Sequence, residues 1–165
     1  MALFGRREQP PVIPGLEPDE RVVSWADTPD GAVVAVTRLG LWWPGPRRIG
    51  WQFVNKATWR EDVLTVVEAE VVDDLLLVDR PPVSVRLSVP RDLPPTVRKR
   101  VEGNIVQREV LAVPGGSVRF VARRVPGRDG MAWWAHLEGG TTDTPALRSA
   151  VAARLETLRA SAGSR

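Results

Sequence analysis

RLGLWWPGPRRIGWQFVNKATW, residues 38–59, contains four of the seven tryptophans of the chain. Two of them, Trp42 and Trp43, are adjacent in the sequence. Neighbouring side chains of a β-strand point to opposite faces of a sheet, so one face cannot bury both indole rings. If Trp43 shares the inner face with Leu41, Trp42 points outward and needs a cover of its own. The segment therefore predicts a sheet that is covered on both faces.

The sequence on either side of this segment predicts antiparallel β-structure. Residues 21–89 form a succession of short β-rich runs, separated by turn sequences such as PDG at 29–31. The most regular run, VSVRLSV at 83–89, alternates apolar and polar side chains, as a half-exposed strand does. No helical crossover separates these runs, so parallel pairing is disfavoured in the first ninety residues. We expect an antiparallel meander there.

The apolar period then changes from two residues to four. Val97, Val101 and Ile105 lie on one helical face, which predicts a helix over residues 93–109. A second apolar stripe predicts a helix over 145–160. Between these helices, VRFVARRV and MAWWAHLE predict a β-hairpin.

These elements predict a mainly β (α+β) protein in four segments. They are an extended arm over residues 1–18, an antiparallel barrel with its capping helix over 19–112, a hairpin and helix over 113–160, and a flexible tail over 161–165. We expect the C-terminal hairpin and helix to pack on the outside of the barrel. Trp42 and Trp134, one from each tryptophan pair, would then lie in the seam. The alternative is that these two rings form an exposed aromatic site for a partner.

The residue inventory argues against most enzyme chemistry. The chain has no cysteine, and His136 is its one histidine, so disulfides and His/Cys metal sites are excluded by count. It has no glycine-rich phosphate loop and no nucleophile elbow. The acidic residues Asp73 and Asp74 fit a solvated hairpin turn. We expect a protein that is not an enzyme and has no cofactor.

The chain also lacks the marks of a membrane or secreted protein. Its N-terminal sequence has no apolar run of signal-peptide length, and no stretch approaches the roughly 20 apolar residues that span a bilayer. We expect a soluble cytoplasmic protein with no transmembrane segment.

Charge is unevenly distributed along the chain. Residues 61–80 carry a net charge of −6 and residues 91–130 a net charge of +5. One interpretation is that these are solvated faces, and the other is that the basic residues form a patch for an anionic partner. The candidate binding residues of that patch are Arg98, Lys99, Arg100, Arg123 and Arg124, and Arg119 and Arg128 extend the same set.

Two stretches resemble bacterial pleckstrin-homology-like (PH-like) domains of actinobacterial type. VVAVTRLGLWW at 33–43 is similar to two strands of that family around a Thr-x-x-x-Leu bend, and RRIGWQFVNKATW at 47–59 is similar to the next strand and the loop after it. PPTVRKRVEGNIV at 94–106 lies where the capping helix of the family belongs. The resemblance covers about residues 20–110. It implies a bent antiparallel sheet that serves as a binding or scaffold module, with no catalytic residue.

Two departures limit the resemblance. The chain continues for more than fifty residues beyond the capping helix, and no lipid-phosphate loop matches residue by residue. We therefore expect a non-enzymatic binding or scaffold module whose partner is a protein. The alternative is an RNA-binding or acidic-lipid-binding protein that uses the basic surface around the capping helix and the C-terminal hairpin.

Overall fold

A computed structural model describes residues 8–163, and within them eleven β-strands and two α-helices make a mainly β structure. The strands are β1 Ser24–Asp27, β2 Val33–Val36, β3 Gly40–Trp43, β4 Arg47–Gly50, β5 Val54–Arg60, β6 Val63–Val72, β7 Leu76–Asp79, β8 Val83–Arg86, β9 Ile105–Val113, β10 Gly116–Arg124 and β11 Met131–Leu137. The helices are α1 Leu93–Asn104 and α2 Pro145–Ala162. The predicted mainly β class is confirmed.

The first part of the chain forms a half-barrel, made of β1–β6, β8 and α1. Strands β1 to β4 form a four-stranded antiparallel sheet in sequence order. Strand β6 pairs antiparallel with β5 on one side and β8 on the other. Helix α1 contacts both groups of strands. These elements enclose one apolar core of Ala26, Val34, Val36, Leu41, Ile49, Trp51, Val54, Leu64, Val66, Leu87, Leu93 and Val97.

Residues 47–59 do not form the single strand and loop that the sequence predicts. Strand β4 ends at Gly50, a 3₁₀ turn spans Trp51–Phe53, and β5 begins at Val54. The buried Trp51 donates its Nε1–H to the Thr37 carbonyl oxygen at 2.9 Å. This bond fixes the turn to the first sheet at the point where the chain crosses to the second.

The prediction that the first helix extends to residue 109 is wrong. Helix α1 ends at Asn104, whose buried side chain donates from Nδ2 to the Arg124 carbonyl oxygen at 2.8 Å. From Ile105 onward the backbone pairs antiparallel with β10. The segment is rich in β-branched residues, and the pairing with β10 outweighs the four-residue spacing that Ile105 shares with the helix.

The C-terminal unit, β9–β11 and α2, joins the half-barrel edge to edge. The strand order is β5-β6-β7-β11-β10-β9, and the contact between β7 and β11 is parallel, with His136 opposite Leu77. The expectation that the hairpin and helix pack on the outside of the barrel is incomplete, because this unit continues the sheet, and the face of β10 and β11 opposite α2 also contacts the half-barrel at Phe53 and Asn55. Helix α2 covers one face of the unit over a second apolar core: Leu76, Val118, Phe120, Ala122, Trp133, Ala135, Leu147, Val151 and Leu155.

The adjacent tryptophans diverge as the sequence predicts. Leu41 lies in the half-barrel core and Trp43 packs against that core, whereas Trp42 is buried on the opposite face. The cover of Trp42 is wrongly predicted, because the ring packs against Ile13 and Leu16 of the N-terminal arm, away from the C-terminal unit. An outward strand face can thus be covered by the segment that precedes it in the chain.

The ends of the chain differ from prediction in one respect. Residues 8–18 of the predicted arm contain turns and no helix or strand, and residues 1–7 lie outside the described part. Helix α2 continues to Ala162, so the predicted flexible tail does not begin at residue 161, and residues 164–165 are not described. Within residues 8–163, neither helix is long and apolar enough to cross a membrane.

Candidate functional site

A cleft of about 610 Å³ lies between α1 and the loop that joins β10 to β11. We call it the basic cleft, because five of its lining side chains are cationic: Arg38, Lys99, Arg100, Arg124 and Arg128. Among the described residues that line it, none is acidic. The cleft therefore concentrates positive potential in a concave surface.

The five cations come from both parts of the structure. Lys99 and Arg100 lie on α1, Arg38 lies between β2 and β3, and Arg124 and Arg128 belong to the C-terminal unit. Arg128 lies in the turn after β10, close to Gly127. Gly127 has a φ of +79°, and an added Cβ would lie 3.3 Å from the Leu39 side chain. Glycine therefore allows this turn to approach the β2–β3 connection.

Most of these charges have no carboxylate partner. Arg38 pairs with the exposed Asp19. In the described part of the chain, no ion pair forms at Lys99, Arg100, Arg124 or Arg128. Unpaired, exposed cations around a cavity are suited to bind phosphate groups.

Arg98, the first residue of the predicted basic run, lies outside the basic cleft. Its exposed guanidinium donates to Glu102, four residues later on α1, at 2.9 Å between Nε and Oε1. It lines a different cleft, between β5, α1 and β9. Helical rotation thus separates Arg98 from Lys99 and Arg100, although the three are consecutive.

Arg123 occupies a second cationic site, which we call the cationic seam. The seam consists of Arg119, Arg123 and His136, which lie on the face of β10 and β11 opposite α2, together with Asn55 of β5. Arg119 and His136 are directly opposite each other in the β10–β11 register. Arg123 is 1% exposed, and its neighbour Arg124 is exposed. Two adjacent arginines therefore belong to two different sites.

The seam lacks hydrogen-bond acceptors. Arg119 Nη2 and Arg123 Nη2 share one acceptor, Asn55 Oδ1, at 3.3 and 3.4 Å. Arg123 Nε and Nη1, Arg119 Nε and His136 Nε2 are buried without a hydrogen-bond partner among the described residues, although Arg119 Nε forms an ion pair with Glu138 at 3.6 Å. A buried cation without full compensation is costly, so this arrangement is unusual for a purely structural contact.

Burial and mutual repulsion lower the pKa values in the seam. Burial, followed by the charges of Arg119 and Arg108, lowers the pKa of Arg123 to about 10, although Asp79 partly opposes this. Burial, followed by the charges of Arg119 and Arg123, lowers the pKa of His136 to about 3. His136 is therefore neutral at pH 7, while Arg123 keeps its charge.

The two candidate tryptophans do not form a shared aromatic site. Trp42 is buried under the N-terminal arm. Trp134 is half-buried beside Phe53, with ring centroids 5.9 Å apart, and so does contact the half-barrel. Because one ring is buried and the other is packed against Phe53, the basic residues are the stronger candidates.

Sequence reasoning did not identify Arg38, Asn55 or His136 as binding residues. Arg38 joins the basic cleft from a turn about sixty residues before Lys99, and Asn55 joins the seam from a region predicted as a loop. The alternation in VRFVARR does place Arg119 and Arg123 on one strand face. It does not indicate that this face would be buried.

Comparisons with known proteins give no relative for this fold or these sites. No protein-family model matches the sequence, and neither the curated proteins nor the solved structures include a match.

Proposed function

We propose that this chain is a non-enzymatic binding module of PH-like type, and that its basic cleft binds the phosphate groups of acidic lipids. The observation on which the proposal depends is the convergence of Arg38, Lys99, Arg100, Arg124 and Arg128 without an acidic lining residue. Each basic residue near an anionic membrane surface contributes about 1 kcal/mol of attraction. Several such residues in one concave site give useful affinity.

A lipid headgroup fits the cleft better than single-stranded RNA does. Proteins that bind single strands without sequence preference stack bases on accessible aromatic rings. Among the described residues that line the cleft, the one aromatic residue is Trp51, which is 2% exposed and hydrogen-bonded to Thr37. The rim instead offers the small apolar side chains of Val23 and Val125, and Val23 is half exposed. An apolar rim around a basic site suits the boundary of a membrane.

The element order supports the PH-like part of the proposal. A four-stranded antiparallel sheet is followed by three more antiparallel strands, β5, β6 and β8, and then by α1. This is the bent sheet with a capping helix that the resemblance implies. Strand β7, which pairs with β6, and the C-terminal unit lie outside that arrangement.

Vesicle co-sedimentation tests the proposal. We expect the full chain to sediment with phosphatidylcholine vesicles that contain phosphatidylserine or a phosphatidylinositol phosphate, and to stay in solution with phosphatidylcholine alone. Binding should weaken as salt is added, because the attraction between exposed charges is screened. The double variant K99E/R100E should lower the affinity by about tenfold or more.

The matched control is R60E/R86E, which changes the net charge by the same amount. Arg60 and Arg86 are exposed and lie outside the basic cleft. We expect this control to retain most of the vesicle binding. Equal losses of vesicle binding in both double variants would show that the basic cleft is not the binding site. Tight binding to an oligouridine without vesicle binding would show that the ligand is RNA and not an acidic lipid.

A further inference from the structure

The cationic seam differs from the basic cleft in burial and in partners, and it needs its own explanation. Four nitrogen atoms from Arg119, Arg123 and His136 are buried there without acceptors. The nearby carboxylate of Asp79 accepts two hydrogen bonds from Asn55 Nδ2, both at 2.9 Å, and so lies behind the amide. Glu138 Oε1 is 3.6 Å from Arg119 Nε, too far for a hydrogen bond. The seam therefore has more donors than the described residues can satisfy.

An acceptor with several oxygen atoms would satisfy these donors together. Guanidinium groups present parallel N–H donors that match the oxygens of a carboxylate or a phosphate. Neutral His136 adds a further nitrogen, which is a donor when its proton is on Nε2. A single water molecule cannot satisfy two guanidinium groups and an imidazole, whereas one oxyanion can.

We propose that Arg119, Arg123 and His136 bind an oxyanion, either a phosphate group or a carboxylate, at the seam between the half-barrel and the C-terminal unit. In the structure Asn55 Oδ1 stands where one oxygen of that anion would lie, because it is the shared acceptor of both arginines. Rotation of the Asn55 side chain would expose the donors.

Asn55, which covers the seam, also lines a neighbouring cleft, so rotation of its side chain would connect the two. A cleft of about 740 Å³ opens between β5, α1 and β9, and Asn55 and Arg108 line it. Lys56 and Arg98 line the same cleft, with Glu102 as the one acidic side chain among its described lining residues. An anion therefore approaches through a positive field. The rest of a larger ligand would lie along Trp59 and Val101, which also line this cleft.

Thermal unfolding in different anions tests this site. At equal ionic strength, we expect sodium phosphate to raise the Tm of the full chain above its value in sodium chloride by about 2 °C or more, in a saturable way. The same comparison with sodium chloride is made for sodium acetate. A rise with phosphate alone identifies a phosphate site, and a rise with acetate alone identifies a carboxylate site. An identical Tm in chloride, phosphate and acetate would overturn the proposal.

Variants assign the effect to the seam. In the K99E/R100E background, which disables the proposed basic cleft, R123M should abolish the rise in Tm, whereas R86M, which removes the charge of an exposed arginine, should keep it. D79N should enlarge the rise, because it removes a competing negative charge. K99E/R100E should keep it, which separates this site from the proposed function. A rise that persists in K99E/R100E/R123M would place the anion elsewhere and overturn the assignment.

A spectroscopic readout on the unaltered protein covers the case in which R123M does not fold. His136 is the only histidine, so its imidazole signals in an NMR spectrum need no assignment. We expect these signals to shift with phosphate or acetate and not with chloride. Signals that stay constant in all three salts would overturn the role of His136 and the site with it.

Discussion

At the scale of single residues, the seam shows how position changes chemistry. Arg123 and Arg124 are chemically identical neighbours, yet one is buried without sufficient acceptors and the other lines an open cleft. His136 is neutral because it is buried between two guanidinium groups. These properties depend on which strand face the half-barrel covers, and the sequence pattern alone does not determine that.

The single histidine makes one pH prediction simple to test. The pKa of His136 is about 3 in the folded protein, mainly because of burial, and about 6.5 in an unfolded chain. The unfolded state therefore binds an extra proton between these values. The contribution of neutral His136 to the free energy of unfolding is complete above pH 6.5. It is lost as the pH falls towards 3, by about 1.4 kcal/mol per pH unit.

Urea unfolding between pH 6.5 and 5 measures this slope in buffers that contain no oxyanion and have chloride as their only anion. We expect the free energy of unfolding to fall with decreasing pH in the natural sequence and to be nearly constant in H136Q. Carboxylates with lowered pKa values, such as Glu20, change the free energy of unfolding mainly below about pH 4.3, so they have little effect on the slope between pH 6.5 and 5. Equal slopes in the two proteins would show that His136 is not buried as described.

At the scale of elements, the segment that joins the N-terminal arm to β1 is fixed to the sheet by one buried carboxylate. Glu20 is 1% exposed and accepts hydrogen bonds from Thr37 Oγ1 at 2.6 Å, Trp42 Nε1 at 2.9 Å and Arg48 Nη1 at 2.8 Å. Burial alone would raise the pKa of Glu20. The hydrogen bonds from Thr37, the Glu17 amide and Trp42, together with the charge of Arg48, outweigh burial and lower it. The arm is therefore an integral part of the fold.

Two glutamates that contact the same arginine test this attachment. Glu17 Oε1 accepts from Arg48 Nη2 at 3.0 Å, but Glu17 is exposed. We expect E20A to lower the free energy of unfolding by about 2–4 kcal/mol, because it leaves buried donors unsatisfied. E17A should cost no more than about 1 kcal/mol, as exposed ion pairs do. Chemical denaturation of both variants measures the difference, and similar losses would contradict a structural role for Glu20.

The local sequence pattern predicts most strands and helices, and it fails where tertiary contacts determine the structure. The β-rich runs of β2 and β3, the alternation in β10 and the four-residue stripe of α1 are recognisable in the sequence. Strand β9 is misread as helix because Ile105 fits both periods, and only its pairing with β10 distinguishes them. The cover over Trp42 was misassigned because alternation shows that a face is buried and does not identify what buries it.

At the scale of the whole molecule, the parallel contact between β7 and β11 brings the two parts together. This contact joins segments about sixty residues apart, and it continues the sheet from β6 into the C-terminal unit. Both the basic cleft and the cationic seam take residues from either side of the junction. The basic run around α1 is visible in the sequence, but Arg38 and Asn55 enter these sites only through the folded arrangement.

The most direct test of the proposed function is a map of where a phosphorylated headgroup binds. Backbone amide NMR signals of the full chain are followed while a soluble inositol phosphate is added. We predict that the largest shifts lie at Lys99, Arg100, Arg124 and Arg128, and that K99E/R100E loses this group of shifts. Largest shifts elsewhere on the surface, or no shifts at high concentrations of the headgroup, would contradict the basic cleft as the binding site.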